Sequence, residues 1–429
     1  MLQKVETMDA PVKQAANEVT LPIGRSEFIA LMAALMAMNS LAIDVMIPAL
    51  QQMGASLGVA DENARQLVIS SYVIGFGLCQ LVFGPVSDRF GRRGPLLVGT
   101  AIYLLSALAA AFAPSFAILL TLRFTQGLGA AATRVISQSV VRDSFGGRRM
   151  AEVMSLIMMV FMILPVIAPA TGQVIMLFGE WQMIFLFMAG LGTVITLWAA
   201  FRLPETLAPQ NRRPLTFVSV AEGFRLVLTN RTALCYTLAT ALVFSALFGF
   251  INSAQQIYVE TYHLGDLFPV AFAIVAGFMA ASSYLNSRLV GRFGMRRLSH
   301  LALLGFIAAS LLWLLLSMAG EIPLAVFMVL FGIAMFQFGS IGANFNALAM
   351  EPLGNVAGTA AAVLGAVQTV GGGIVGALIG QAYDGTVTPL GAAYFIVSVL
   401  ALGMVLVAEK GKLFQARNER VDIAASIGH

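Results

Sequence analysis

Three charged residues stand inside long apolar stretches of the sequence: Asp44, Arg123 and Arg134. If these stretches cross a membrane, each charge costs at least about 2.5–3.5 kcal/mol at the bilayer centre and is expected to face the protein interior. A carboxyl group in a dry cavity can bind and release a proton, because lost water favours the neutral acid and a nearby arginine favours the carboxylate. We therefore interpret Asp44 and Arg123 as a proton-coupling pair, with a static buried ion pair as the alternative. Arg134 lies nearer the end of its stretch, where a structural role is favoured.

Uncharged polar residues in the same stretches are candidates for lining a substrate cavity. Gln126 follows Arg123 by three residues and so shares its helical face. The alternative for each residue is a hydrogen bond that joins neighbouring helices. The full candidate set is Asn39, Gln126, Asn252, Gln255, Gln256, Gln337, Asn344 and Gln368.

The composition identifies the class of protein that must position these residues. Of the 429 residues, 59% are hydrophobic and 11% are charged, and the mean hydropathy is +0.87. A soluble domain has roughly 25% charged residues, so most of this surface must face lipid. The two cysteines, Cys79 and Cys235, both lie in apolar runs, which argues against a disulfide framework or a cysteine metal site. No metal, cofactor or nucleic-acid partner is expected.

Apolar runs long enough to cross a bilayer of about 30 Å as helices occur twelve times. Long apolar helices are favoured over a membrane barrel, whose strands would show short segments of period two. The predicted spans are 27–49, 66–87, 95–113, 115–139, 152–177, 181–201, 232–256, 268–290, 298–319, 322–346, 356–381 and 390–409.

The positions of the basic residues orient these spans. If the spans alternate in direction, all Lys and Arg residues lie on one side except Arg65, Arg123 and Arg134. Arg65 alone is on the opposite side, among acidic residues. Because positive charge stays cytoplasmic, both termini are predicted to be cytoplasmic.

A central connection divides the chain into six spans plus six. It is the longest internal one and contains Pro204, Pro209 and Pro214. The first 25 residues lack the apolar core of a cleavable signal peptide and are expected to form a tail. The predicted organisation is a cytoplasmic tail at 1–26, a six-helix bundle at 27–201, a cytoplasmic linker at 202–231, a second six-helix bundle at 232–409 and a tail at 410–429.

A short internal repeat supports a duplicated architecture. The run Asp88-Arg89-Phe90-Gly91-Arg92-Arg93 follows the second span, and Gly291-Arg292-Phe293-Gly294-Met295-Arg296 follows the eighth. Paired six-helix repeats are typical of transporters, whose binding site lies between the bundles near the membrane midplane.

The loop after the second span resembles a known signature. Gly84-Pro85-Val86-Ser87-Asp88-Arg89-Phe90-Gly91-Arg92-Arg93 has every fixed position of the major facilitator superfamily pattern Gly-x-x-x-Asp-Arg-x-Gly-Arg-Arg. The alternative is a generic basic loop. The resemblance implies an all-α fold of two six-helix bundles with twelve transmembrane helices. It also implies a conformational latch, for which the candidates are Gly84, Asp88, Arg89, Gly91, Arg92, Arg93, Arg142 and Asp143.

Three further runs resemble the twelve-span drug:proton antiporters, and more narrowly the bicyclomycin and chloramphenicol resistance family. They are Asn39-Ser40-Leu41-Ala42-Ile43-Asp44-Val45-Met46-Ile47-Pro48-Ala49-Leu50, Arg123-Phe124-Thr125-Gln126-Gly127-Leu128-Gly129-Ala130-Ala131, and Ala168-Pro169-Ala170-Thr171-Gly172. The last is a reduced antiporter motif, because the wider family has Gly-Pro where this chain has Ala168-Pro169. The resemblance implies proton coupling by Asp44 and Arg123, and a bend in the fifth span at Pro165, Pro169 and Gly172.

The resemblance implies a proton-coupled multidrug exporter in the bacterial inner membrane. We expect a monomer that uses alternating access and the proton gradient to export small apolar or amphipathic compounds, such as chloramphenicol- or bicyclomycin-like drugs. The alternative is an exporter or symporter of one metabolite, an amino acid or a sugar. An enzyme or an ATP-driven pump is disfavoured because the sequence has neither a His-Glu-x-x-His pair nor a Walker loop.

Overall fold

The protein folds as a bundle of long helices. The structure is a computed structural model that describes residues 23–145, 147–212 and 217–414. In chain order the α-helices are α1 (Arg25–Asp44), α2 (Leu50–Ser56), α3 (Leu67–Phe90), α4 (Arg93–Ala110), α5 (Phe116–Ser144), α6 (Gly147–Met176), α7 (Gln182–Arg202), α8 (Phe217–Thr229), α9 (Arg231–Gln255), α10 (Phe268–Phe293), α11 (Met295–Ala319), α12 (Leu324–Met350), α13 (Ala357–Gln381) and α14 (Thr388–Ala408). We call α1–α7 the N-terminal half and α9–α14 the C-terminal half.

The helices match the predicted spans. Among the described residues, eleven helical segments are long and apolar enough to cross a membrane. The remaining predicted span falls in α6, whose shorter apolar part is Val166–Met176. The prediction of an all-α polytopic membrane protein is confirmed.

The first span is interrupted, which the hydropathy pattern did not predict. The α1 helix ends at Asp44, a 3₁₀ turn follows at Ile47–Ala49, and α2 begins at Leu50. Pro48 lies in that turn, and a proline cannot donate the backbone hydrogen bond that a continuing helix needs. The interruption places Asp44 at a helix end within the span.

The predicted linker also contains a helix, α8, that the sequence analysis did not identify. The next helix, α9, begins directly after it, and the Asn230 side chain caps α9 by accepting a 2.9 Å hydrogen bond from the backbone N–H of Ala233. Asparagine is a favoured cap because its side-chain oxygen pairs with one of the free N–H groups at the helix start.

Small residues set the closest helix contacts around the candidate site. On α3, a Cβ atom at Gly75 would overlap the carbonyl oxygen of Phe124, and on α5 a Cβ atom at Gly127 would overlap the carbonyl oxygen of Tyr72. This reciprocal contact brings the α3 and α5 backbones together, as is typical of membrane helices that pack through small residues. It fixes α5, which carries Arg123, against α3.

Candidate functional site

Asp44 is the last residue of α1 and is buried, with 4% of its surface exposed. Within the described part of the chain its carboxyl group accepts one hydrogen bond, from the Ser40 hydroxyl at 3.4 Å. The negative end of the α1 dipole and the exclusion of water both oppose an ionised carboxylate here. The position suits a group that is ionised only when water or a cation reaches it.

Arg123 is fully buried and its guanidinium is held by neutral groups from three helices. Its Nε donates to the Val68 carbonyl at 3.1 Å, Nη1 to the Gln126 side-chain oxygen at 2.7 Å and Nη2 to the Ala42 carbonyl at 2.9 Å. The guanidinium carbon also lies 4.4 Å from the centre of the Tyr72 ring, within cation–π range. Each of the three guanidinium nitrogens thus donates to an uncharged oxygen.

The two members of the predicted pair are linked indirectly. Among the described ion pairs none joins Asp44 to Arg123, so the alternative of a static buried ion pair does not describe this conformation. Arg123 instead binds the carbonyl of Ala42, two residues before Asp44. This carbonyl is free because the last carbonyls of a helix lack partners within it. Whether the pair couples protons stays a prediction.

The reduced antiporter motif lies against the interruption after Asp44. A Cβ atom at Gly172 would overlap the carbonyl oxygen of Val45 and would lie 2.9 Å from Cγ of Pro48. The α6 helix therefore contacts the segment that directly follows the candidate proton site. It stays α-helical through Pro165 and Pro169, so the predicted bend at this motif remains a prediction about other states.

The predicted cavity residues separate into groups in the structure. Asn39 accepts a 3.0 Å hydrogen bond from the Tyr72 hydroxyl, and with Gln126 it belongs to the surroundings of Arg123. Asn344 and Gln368 hydrogen-bond within the C-terminal half, to Asn286 and Asn346 respectively, each at 2.7 Å; these two residues are apart from the Asp44 site.

Gln337 lies in a different place again. It lines a pocket of about 200 Å³ between α10, α11 and α12, together with apolar residues such as Leu289 and Leu301. Its side chain lies against Gly305. Gln337 is therefore not part of the Asp44 site. The rotation of α12 points its side chain toward α10 and α11.

The three remaining candidates, Asn252, Gln255 and Gln256, hydrogen-bond to the N-terminal half. Ser70 donates to Asn252 at 3.2 Å, Gln255 donates to Gln51 at 3.4 Å, and Gln256 donates to the Asn63 side chain. In this conformation they join the two halves of the molecule. A cavity-lining role for them stays a prediction.

The signature loop is organised around Arg92, which is 2% exposed. Its Nε donates to Asp143 at 2.7 Å, and its Nη1 donates to Asp88 at 2.5 Å and to the Ser87 hydroxyl at 2.8 Å. Burial lowers the pKa of Arg92, but the hydrogen bonds and charges of Asp143 and Asp88 more than offset this, so its pKa lies above the ordinary value. The loop is thereby tied to the end of α5.

The other latch candidates have more peripheral positions. Gly84 accepts the Ser87 hydroxyl through its carbonyl at 2.9 Å, and the Arg93 side chain donates to the Ala200 carbonyl. Arg89 and Arg142 are exposed.

The sequence pattern did not predict one functional candidate, Glu205, in the linker after α7. Its carboxylate accepts hydrogen bonds from the backbone N–H groups of Arg92 at 2.8 Å, Arg93 at 3.2 Å and Leu207 at 2.9 Å. A carboxylate is favoured there because α4 begins at Arg93 and exposes free N–H groups and a positive dipole end. Gly91 has a φ of +95°, and a Cβ atom there would lie 2.8 Å from the Glu205 carboxyl carbon. The available signal was an acidic residue in a linker rich in arginine.

Comparison with known proteins supports this architecture. Residues 29–377 match the family model of the Major Facilitator Superfamily. The chain is 31% identical over 376 residues to an uncharacterised MFS-type transporter YdgK of Bacillus subtilis, covering 86% of this chain and 92% of that protein. It is 31% identical over 384 residues to a bicyclomycin resistance protein homologue of Haemophilus influenzae, covering 87% and 94% respectively. It is 30% identical over 355 residues to the multidrug resistance protein MdtL of Escherichia coli O127:H6, covering 81% and 86%.

Two solved structures share the fold. The human organic anion transporter MFSD10 (TETRAN) superposes with a TM-score of 0.65 at 17% identity, covering 90% of this chain and all of that chain. A bacterial homologue of the lysosomal transporter Spinster, inward-facing and occupied, superposes with a TM-score of 0.67 at 15% identity, covering 90% and 97%. The resemblance to the drug:proton antiporter branch is confirmed by the named relatives. The chain belongs to the Major Facilitator Superfamily and is a multi-pass membrane transporter.

Proposed function

We propose that the protein is a drug:proton antiporter that exports small apolar or amphipathic compounds across the bacterial inner membrane. The similarity to a bicyclomycin resistance protein homologue and to MdtL, over most of the chain, supports drugs as the substrate class. The predicted cytoplasmic termini and the positive-inside distribution of charge support this location.

The observation that carries the proposal is the placement of Asp44. A carboxyl group at the end of α1, buried and hydrogen-bonded by Ser40, is a poor place for a permanent negative charge. It is stable as the neutral acid, and it can lose its proton when the transport cycle admits water. If Asp44 only had to accept the hydrogen bond from Ser40, an asparagine at this position would serve as well.

Arg123 provides the coupling in this proposal. Its guanidinium holds the carbonyl of Ala42, so any movement of α1 that frees this donor also moves Asp44. A carboxylate formed at Asp44 would compete with the Ala42 carbonyl for the guanidinium, because charge-assisted hydrogen bonds are the stronger ones. Proton release is thereby tied to the position of α1.

The antiporter motif transmits that movement. Gly172 on α6 packs against the turn at Val45, and this contact leaves no free space for independent motion of the two backbones. Rearrangement at Asp44 therefore requires α6 to shift. Substrate and proton then alternate because each stabilises a different arrangement of α1 and α6.

The test is a drug-susceptibility panel in a bacterium that lacks its major efflux pumps. We expect wild type to protect against chloramphenicol or bicyclomycin, and Asp44→Asn to return susceptibility to that of the empty vector at equal membrane abundance. Ser40→Ala, which removes only the hydrogen bond to Asp44, is the matched control and should retain partial protection. Full protection by Asp44→Asn would refute proton coupling through Asp44. Transport of a single amino acid or sugar without drug protection would instead favour a metabolite transporter.

A further inference from the structure

Arg65 was the one basic residue predicted on the outer side, and the structure gives it a partner in the other half. It is 5% exposed and its Nη2 lies 2.9 Å from Oε1 of Glu260, at the end of the segment that continues α9. Its Nε also donates to the carbonyl of Glu62 at 2.6 Å, and its Nη2 lies 3.3 Å from the exposed carboxylate of Glu62 in the same half. The ion pair is largely shielded from water, so breaking it without hydration is costly.

Asn63, two residues earlier, is a second connection between the halves. Its Nδ2 donates to the carbonyls of Gln381 at 3.1 Å and Tyr383 at 2.8 Å. Its Oδ1 accepts from Gln256 at 2.8 Å, and its own carbonyl accepts from the Gln381 side chain at 2.6 Å. One short side chain therefore satisfies three hydrogen bonds to the C-terminal half.

Further bonds continue this contact from Gln66, directly before α3, and along α3 itself. Gln66 donates to the Gln256 side chain, Ser70 to Asn252 at 3.2 Å, and Gln80 to Thr369 at 3.2 Å. In the described ranges, the hydrogen bonds between the two halves run from the predicted outer end to the level of Gln80. The predicted outer side is thus closed by polar contacts.

We propose that Asn63 and Arg65 form the outer gate of the transport cycle, and that their bonds to the C-terminal half must break for the protein to open outward. The inference rests on the alternating access of the proposed function. It assigns a role to Arg65, the one basic residue on the predicted outer side. It also assigns a role to Gln256, which hydrogen-bonds to both Asn63 and Gln66.

An acidic pocket lies directly on this gate. It has a volume of about 480 Å³ and contains carboxylates from both halves, including Glu260 and Asp384. When the halves separate, water from this pocket can reach the side chains of Arg65 and Glu260. Asp384 provides a matched control, because its carboxylate accepts hydrogen bonds from Thr386 in its own loop.

The experiment measures the distance between the two halves at the predicted outer side. Spin labels are placed at Ala55→Cys and Glu321→Cys, two exposed positions on opposite halves, in the full chain with Cys79 and Cys235 replaced by serine. Distance distributions are recorded in detergent and in lipid for the wild type, Asn63→Ala, Arg65→Gln, Glu260→Gln, the charge swap Arg65→Glu with Glu260→Arg, and Asp384→Asn.

We expect the ratio of long to short distances to rise by about tenfold or more in Asn63→Ala and Arg65→Gln, because each removes bonds between the halves at buried groups. Glu260→Gln should raise the ratio by less, because Arg65 keeps the Glu62 carboxylate of its own half as a partner. The charge swap should restore a ratio closer to wild type than either single change, and Asp384→Asn should match wild type. Unchanged distances in both Asn63→Ala and Arg65→Gln would overturn the gate, as would a swap no better than the single changes. The readout needs no drug or proton flux, so loss of the gate and loss of the proposed function are separate outcomes.

Discussion

Arg123 donates a 2.9 Å hydrogen bond to the carbonyl oxygen of Ala42, two residues before Asp44. The contact exists because α1 ends at Asp44, which leaves carbonyls near the helix end without partners in the helix. The arginine thereby contacts the α1 backbone, and none of the ion pairs among the described residues involves the Asp44 carboxyl group. In the proposed mechanism, this arrangement lets the buried acid gain and lose a proton during the transport cycle.

Substitution of Arg123 should therefore abolish transport even when charge is kept. Arg123→Lys cannot reach the Val68, Gln126 and Ala42 oxygens at once, because an ammonium group lacks the planar fork of a guanidinium. We expect drug protection near the empty-vector level, measured by susceptibility at matched protein abundance. Arg134→Lys is the control and should retain protection. Wild-type protection by Arg123→Lys would show that the three bonds are dispensable.

A methyl group at Gly172 should separate α6 from the turn after Asp44. We expect Gly172→Ala to lose transport and to destabilise the protein by roughly 1–3 kcal/mol, the usual cost of overpacking, because the new Cβ would overlap the Val45 carbonyl. Gly190→Ala on α7, where nothing lies within 4 Å of the new Cβ, should match wild type. Thermal stability in detergent and drug export from cells measure the two effects. Equal behaviour of the two variants would contradict the close contact.

Glu205 should stabilise the signature loop through backbone hydrogen bonds. Glu205→Ala removes the acceptor for the Arg92, Arg93 and Leu207 N–H groups, and we expect a loss of roughly 1–3 kcal/mol in stability. Thermal unfolding followed in detergent gives this quantity. A variant as stable as wild type would show that water replaces the carboxylate without cost.

Substitution of Gly91 tests how closely the Glu205 carboxylate packs against the signature loop. Gly91→Ala should be destabilising both because its φ is +95° and because the new Cβ would meet Glu205. In the Glu205→Ala background only the backbone strain remains, so the second change should cost less there than in wild type. Gly94→Ala, with open space around it, is the control and should be neutral. Strictly additive costs would argue against the contact between Gly91 and Glu205.

The sequence predicted the helices well because a membrane span is a local property. The second span was expected at 66–87 and α3 is Leu67–Phe90, since both ends are set by hydropathy and by the loop glycine. The break after Asp44 was missed because the residues around Pro48 remain apolar and hydropathy does not register a turn. Helix α8 was missed because its sequence lies in a connection rich in proline and arginine.

The sequence predicted which residues belong to the candidate site better than it predicted the contacts that they make. Asp44 and Arg123 are both buried, as their position in apolar stretches indicated. Gln126 was placed on the face of Arg123 by its spacing, and it does accept a hydrogen bond from Arg123. The Val68 and Ala42 carbonyls could not be predicted as partners, because a backbone carbonyl is present at every residue and so carries no sequence signal. The directions of Gln256 and Gln337 depend on how α12 and the segment that continues α9 are rotated in the bundle, which is a tertiary property.

In the proposed transport cycle, Asp44 carries the exchanged proton. This role is tested most directly by proton release from purified, detergent-solubilised protein in weak buffer on addition of chloramphenicol, with bicyclomycin as a second probe and drug binding measured in parallel. We expect proton release from the wild type, no release from Asp44→Asn although the drug still binds, and wild-type release from Asp384→Asn. Equal proton release from wild type and Asp44→Asn, or drug binding to the wild type without any release, would contradict it.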